Sequence, residues 1–306
     1  MKVFVLAPQE DWICDRLVGE WYEYFPEYST RNAYEADIIW LLAGWCWNHI
    51  PVELLRNKKI IVTEHHIVPE KFDNQKYENF KMRDQFVDCY HVPNEKTKSL
   101  LQQITDKRIE VISYWYNEKL WQPTDSKKAK SYLGLSEEKY YVGSFQRDTE
   151  GSDLKTPKLE KGPDIFCDYL IRNRNKLNNL HVLLGGWRRQ YVENRLKEAG
   201  IEYTLFEKTN IEKIKMLYSA CDLYIVSSRY EGGPQAIIEA AAMKVPIIST
   251  DVGIANTVLN KNCIVDISKD FYTPNEKDVE FAYEKVLKLN LKEHGKKFIK
   301  FFMEVK

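Results

Sequence analysis

The feature that most constrains this chain is a repeated alternation, in which short runs rich in β-branched residues are followed by longer segments of helical period. In the first half the strand candidates are 3–7, 38–42, 60–63, 88–92 and 110–112, with helical stretches near 12–24, 52–57, 77–86 and 94–103. In the second half the strand candidates are 140–145, 181–184, 202–206, 223–227, 246–250 and 263–265. Helices near 162–174, 188–199, 211–220, 234–243, 253–259 and 276–289 separate them. Strands linked through helices pair by crossover connections, and these lay them parallel in doubly wound sheets. A chain of 306 residues has the length of about two domains. The break falls at a polar stretch with Pro123, followed by Lys127, Lys128 and Lys130. The expected division is a Rossmann-like domain over 1–122, a linker over 123–138 and a second Rossmann-like domain over 139–289. Two such sheets would gather their strand ends around a shared crevice, where open parallel sheets bind ligands. That architecture names no reaction by itself.

Composition removes several classes. Lys plus Arg (45) equals Asp plus Glu (45), so no global basic excess exists to hold nucleic acid. The longest charge-free apolar run, 38–47, is far short of the roughly 20 residues that span a bilayer. After Lys2 only 3–7 is apolar before Pro8 and Glu10, which is no signal peptide. A soluble, cytoplasmic α/β protein is therefore expected. The six cysteines form no C-x-x-C pair and read as reduced core residues. No D-x-D occurs and no G-x-G-x-x-G follows a strand, which argues against a Rossmann dehydrogenase. A metal site would have to be assembled from residues that give no local signal.

The densest chemical signal is the stretch from Ser227 to Ala242, S-S-R-Y-E-G-G-P-Q-A-I-I-E-A-A-A. A strand ends at Ser227, Gly232 and Gly233 permit close approach to backbone, and Pro234 opens a helix. Unpaired N–H groups and the positive end of the helix dipole suit a phosphate or diphosphate there. Two carboxylates, Glu231 and Glu239, flank that anion site, and carboxylates accept paired sugar hydroxyls well. The apolar neighbours Ile237, Ile238 and Ala240 to Met243 make this helix largely buried, which weighs against Glu239 as an ordinary surface acid.

Seven residues separate Glu231 from Glu239, and Val245-Pro246-Ile247-Ile248-Ser249-Thr250-Asp251-Val252-Gly253 follows. The segment resembles the E-x7-E signature of retaining glycosyltransferases of the GT-B fold, glycosyltransferase family 4 especially, over roughly residues 140–260. The resemblance implies two facing Rossmann-like domains, the first on the acceptor side and the second binding a nucleotide sugar. Glu239 would hold the ribose hydroxyls and Glu231 the donor sugar, while the free amides within Gly233 to Gln235, Pro234 having none, would meet the diphosphate or sugar. Arg147, after Val142-Gly143-Ser144-Phe145-Gln146, and Lys161, before Gly162-Pro163-Asp164, stand where that family places its cationic clamp. An Arg and a Lys can neutralise a leaving diphosphate without a divalent ion. Arg147 comes later than the family's usual arginine, and the insert 148–160 brings Lys155 and Lys158 as alternatives to Lys161.

Other candidates lie at further strand ends. Gly186, in Gly185-Gly186-Trp187-Arg188, reads as a turn beside the donor, with Trp187 equally a packing residue. His65, in Thr63-Glu64-His65-His66, matches by position a histidine that in the family touches the donor sugar, and is equally a structural histidine. Trp12, Trp45 and Trp47 follow the first two strands and are acceptor-side candidates, although core packing competes for each. The tail from Lys285 onward carries seven lysines together with Phe298, Ile299, Phe301 and Phe302, a pattern compatible with anionic lipid at the inner membrane face. Residues 1–120 hold 15 basic against 19 acidic residues, so packing of the helix over 290–306 on the first domain is preferred.

The expected function is metal-independent, retaining transfer of a hexose-type sugar from a UDP- or GDP-sugar to a glycan, lipid-linked or small-molecule hydroxyl acceptor, with no other cofactor. Two rivals stand beside it: a GT-B epimerase or phosphorylase, and a non-catalytic sugar-nucleotide-binding partner of another transferase.

Overall fold

The structure is a computed structural model that describes residues 1–10, 13–151 and 153–305. It consists of two units, Met1–Asn117 with Leu289–Lys306, and Glu118–Lys288. The sheet of the first unit contains β1 (Val3–Leu6), β2 (Ile38–Leu41), β3 (Lys59–Thr63), β4 (Cys89–Val92) and β5 (Arg108–Val111). All pairings are parallel and the order is β1-β2-β3-β4-β5. The winding thus runs in one direction. On the far edge of β1 lies a single parallel bridge, Val3 to Ser29, so double winding is reduced there to one bridge.

Helices α1 (Ile13–Tyr24), α2 (Val52–Asn57), α3 (Asn74–Asp84) and α4 (Glu95–Leu101) link these strands. Every residue of β2 and β4 is buried, because helices cover both faces of this parallel sheet: Leu54, Phe80 and Leu101 pack beside Ile39 and Leu41, and Trp21 packs against Trp40. Ile39, Leu41, Ile60, Val62, Tyr90 and Val92 form one core with Leu54, Leu55, Phe80 and Leu101. Asp73 and Asn94 start α3 and α4 by accepting from backbone N–H groups that have no partner within the helix.

The second unit holds β6 (Tyr140–Phe145), β7 (Leu180–Gly185), β8 (Glu202–Phe206), β9 (Leu223–Val226) and β10 (Ile247–Ser249), all parallel in the order β10-β9-β6-β7-β8. The winding reverses between β6 and β9, which makes their C-terminal ends a topological switch point. Its helices are α5 (Ser126–Leu133), α6 (Pro163–Asn173), α7 (Gln190–Glu198), α8 (Ile211–Ala220), α9 (Gln235–Ala242), α10 (Ala255–Val258) and α11 (Glu276–Leu287). Val142, Val182, Leu184, Leu223 and Ile225 pack with Phe166, Leu170, Val192 and Leu196 into its core.

The last helix, α12 (Leu291–Val305), belongs to the first unit. Its apolar stripe is spent on protein: Phe298 and Phe302 lie 5.4 and 5.1 Å from the Trp40 ring, and Trp21 is 5.6 Å from Phe302. A side chain at Gly295 would strike Phe25, 2.4 Å from a Cβ, so this helix sits tight on its neighbour. Arg108 pairs with Glu304 at 2.6 Å.

Two elements differ from the sequence expectation. The stretch 123–138, read as a linker, carries α5 and belongs to the second unit, whose limit is Glu118. Asp125 caps α5 at the Lys128 amide and left-handed Gly134 ends it. Lys127 and Lys128 face outward, but Lys130 is buried against Asp222 at 3.2 Å, which docks the helix. At 263–265 the expected strand is a single bridge from Ile264 to Ser249, because a 3₁₀ turn occupies Lys261–Cys263. All six cysteines are buried and unpaired. Burial pushes the thiols of Cys14, Cys89, Cys167 and Cys263 up to about 12, which keeps them protonated and inert. No helix among the described residues is long and apolar enough to cross a membrane.

Candidate functional site

The polar side chains of the second unit converge on the end of β9. Ser227 and Ser228 follow that strand and are buried. Glu231 then turns back, so that Lys161 Nζ donates to its Oε1 at 2.6 Å and Ser228 Oγ donates to the same oxygen at 3.0 Å. Two left-handed glycines make this fold possible. At Gly162 (φ 60°) a Cβ would lie 1.9 Å from the Ser227 carbonyl oxygen, and at Gly253 (φ 54°) one would lie 2.3 Å from that of Gly232. Gly162 also lets the chain turn directly into Pro163 at the start of α6, which brings Lys161 to β9. Gln146 holds the Lys161 carbonyl from the β6 side at 3.0 Å, and Thr250 Oγ1 holds the Ser228 carbonyl at 2.6 Å.

Beside this pair, Arg229 grips Asp164 with two bonds of 2.8 and 2.6 Å and also reaches the Leu159 carbonyl. Burial raises the Asp164 carboxyl, but the Arg229 bonds outweigh it and hold the group below its ordinary value. The arginine that follows β9 therefore staples the 159–164 turn to the loop carrying Glu231.

Pro234 stands at the N-cap of α9 and no side chain caps this end. The first-turn amides and the positive end of the helix dipole are thus presented by backbone alone. Glu239, on the second turn, is buried and accepts from the Tyr218 hydroxyl at 2.9 Å. Burial, then the adjacent Glu239 carboxylate, raises the Tyr218 hydroxyl well above its ordinary value, so it stays a donor. Phe145 packs edge to face on both Tyr218 and Tyr224, and the two tyrosine rings are tilted against each other, with ring centres 4.9 to 5.2 Å apart. Gly143 makes room for them, since a Cβ there would lie 2.4 Å from Cys221 Sγ and 3.0 Å from Tyr224.

Arg147 lies at the end of β6, where its Nε donates to the Thr149 carbonyl at 2.8 Å and its guanidinium sits 5.8 Å from the Trp187 ring centre. Lys161, not Lys155 or Lys158, meets Glu231. Lys155 is exposed, and Lys158 lies 3.6 Å from Glu160. Gly186 (φ 94°) forms the turn after β7 with its amide on the Phe206 carbonyl.

Sequence reading missed Arg189 altogether. Its side chain is fully buried, with Nε on Asp148 at 2.8 Å and the terminal nitrogens on Ser144 O, Gly185 O and Ser144 Oγ. It ties the loops after β6 and β7 to each other. The Trp-Arg-Arg run gives no local sign of which arginine turns inward. Tyr218 and Ser228 were missed as well, because their partners are distant in sequence or carry no motif.

In the first unit, His65 engages both ring nitrogens. Nε2 donates to the Leu42 carbonyl at 2.7 Å, which a carbonyl can only accept, and Nδ1 therefore accepts from the Tyr114 hydroxyl. Trp45 is exposed, with its ring centre 5.9 Å from that of His65. Trp47 packs on Phe86 against the core, so its indole is a packing residue. Trp12 lies outside the described residues. Behind His65, Thr63 accepts from Trp40 Nε1 and bonds His91 Nδ1, whose Nε2 donates to the Ile112 carbonyl. Burial lowers His91 to about 3, so it is neutral.

Residues 154–291 match the family model described as Glycosyl transferases group 1, a span that takes in Lys161, Glu231 and Glu239 but not Arg147. The sheets have the GT-B architecture. HepE of Anabaena, solved with UDP and glucose, superposes with a TM-score of 0.77 at 14% identity, covering 99% of each chain. Sucrose-phosphate synthase from Thermosynechococcus elongatus gives 0.68 at 18% identity, over 95% of this chain and 77% of that one. Among curated sequences, the lipopolysaccharide core biosynthesis mannosyltransferase LpsB of Rhizobium meliloti (strain 1021) is 31% identical over 154 residues, which is 47% of this chain and 40% of that protein. The alignment thus spans less than half the length of the curated relative. Residues 154–291 are thus similar to the group 1 glycosyl transferases.

Proposed function

We propose that the chain is a retaining glycosyltransferase that moves a hexose-type sugar from a nucleoside-diphosphate sugar to a hydroxyl acceptor without a divalent ion. The observation that carries this reading is the 2.6 Å Lys161–Glu231 pair, seated where the winding reverses and directly ahead of the uncapped end of α9. A switch point, a helix N-terminus and a lysine together favour a diphosphate. Lys161 and Arg147 supply positive charge as the leaving diphosphate gains negative charge, which is the task a metal would otherwise perform. Glu231 exchanges its bond with Lys161 for hydroxyls of the donor sugar. Glu239, oriented by Tyr218, takes the ribose hydroxyls, since a carboxylate has about four lone-pair sites and the tyrosine uses one.

In the transfer step the acceptor oxygen bonds to the anomeric carbon on the face the diphosphate leaves. The bond from that carbon to the phosphate oxygen breaks, and the acceptor proton passes to the departing phosphate. UDP- and GDP-sugars are the donors to try first, in keeping with the UDP-bound state of HepE. A glycan, lipid-linked or small-molecule alcohol completes the reaction. The test is incubation with a panel of UDP- and GDP-sugars and acceptors in EDTA, with the anomeric configuration of the product read by NMR. Retained configuration and undiminished rate are expected. Conversion of donor without any acceptor would instead mean an epimerase, and donor binding without turnover a binding partner.

A further inference from the structure

Trp187 is a large apolar side chain left 45% exposed on a segment otherwise held rigidly. Two cations approach its indole, the Arg188 guanidinium at 4.9 Å and the Arg147 guanidinium at 5.8 Å from the ring centre. The backbone around it is strained, since Trp187 is flanked by Gly186 at φ 94° and Arg188 at φ 60°. Beneath it the buried Arg189–Asp148 pair fixes the β6 and β7 loops in one arrangement. An indole left half exposed on so firm a mount is suited to receive something flat.

Its place in the sheet says what. β9, β6 and β7 are neighbours in that order and parallel, so their C-terminal ends lie along one edge. At about 4.8 Å per strand, the end of β7 is roughly 10 Å from that of β9. The diphosphate and sugar are assigned to the β9 end, and the nucleoside then extends along this edge over β6.

Building on the donor reading above, we propose that Trp187 is the platform on which the nucleobase of the donor stacks. Arg147 and Arg188 hold the indole in place and attract the nucleotide's negative charge. A π-face accepts any base, so the platform contributes affinity for a nucleotide over a bare diphosphate rather than choice among bases.

The experiment is calorimetric titration of wild type, Trp187→Ala and Trp187→Phe with UDP, GDP and inorganic pyrophosphate. Loss of a stacked base through alanine substitution costs about 1–3 kcal/mol, so Trp187→Ala should bind the better nucleotide about 5- to 150-fold more weakly. Trp187→Phe should recover most of that affinity, and pyrophosphate should bind all three proteins alike. If wild type binds a nucleotide and Trp187→Ala matches it, the platform is wrong while the donor reading stands. Equal weakening for pyrophosphate would also overturn it, because the effect would then come from displaced arginines. If wild type binds neither nucleotide nor any nucleotide sugar, both readings fall.

Discussion

The two units carry five parallel strands each, yet they differ in how many ions their strand ends carry and where these gather. In the first, Glu64 directly after β3 pairs with Arg83 at 2.7 Å, and beside it Trp40, Thr63 and His91 form a neutral chain that ends on the Ile112 carbonyl. His91 is fully buried and neutral, and α12 covers that face with Phe298 and Phe302. In the second, the strand ends carry ions: Lys161 with Glu231, Arg229 with Asp164, and Arg147 beside Trp187. The sheet orders explain where this happens. Only the second sheet reverses its winding among the described residues beyond a single bridge, and the charges gather at that reversal. A parallel sheet supplies a scaffold; the reversal supplies a place where two loops part and a ligand can meet backbone amides.

Breaking the buried pair of the second unit should give the largest effect. Arg189→Leu leaves Asp148 buried without its partner and should cost about 3–5 kcal/mol of stability in denaturant titrations. Replacing both residues by leucine should recover part of the loss. If Arg189→Leu is as stable as wild type, the loops are not held by this pair.

Next comes Lys161→Ala. Loss of one charge-stabilising donor should lower turnover by about 10²–10³ while leaving the melting temperature nearly unchanged, since the ion pair is partly exposed. Steady-state kinetics beside thermal melts would separate the two. A variant that melts early and turns over normally would mark Lys161 as structural.

Thr63→Val probes the first unit in the same way with the opposite expectation. It strands Trp40 Nε1 and the His91 ring, at a cost of about 1–3 kcal/mol. Nucleotide affinity should be unaltered, because the donor is assigned to the other unit. A shift in affinity would show that the two sets of strand ends are coupled.

The smallest effect is a pH slope. His91 and His294 both have folded values below the unfolded value near 6.5, mainly through burial. The unfolded chain therefore binds more protons below that pH. Stability should be full above about 6.5 and fall as the pH drops toward 3, by at most about 1.4 kcal/mol per pH unit for each histidine. His91→Gln should flatten the slope of denaturant midpoint against pH, and an unchanged slope would assign it elsewhere.

Much of the fold was legible because parallel strands buried on both faces read as apolar runs; β6 and β8 fall on their expected limits. Helix α5 was hidden by its lysines, although Asp125 and Gly134 bracket it as a cap and a stop. The E-x7-E segment was visible as a local pattern. The partners of its acids were not, because Tyr218 and Lys161 reach Glu239 and Glu231 only through the packing of α8 and the turn at Gly162. Arg189 shows the general difficulty. Burial of one arginine among neighbours depends on which carbonyls the strand ends present, and spacing does not encode that.

The most direct trial of the central claim is a crystal structure of the protein with UDP-glucose, or with a GDP-sugar if that binds better. The account predicts the diphosphate within hydrogen-bond distance of the first-turn amides of α9, Lys161 moved from Glu231 onto a phosphate oxygen, and Glu239 on the ribose. A nucleotide sugar bound away from α9, with the Lys161–Glu231 pair intact, would contradict it.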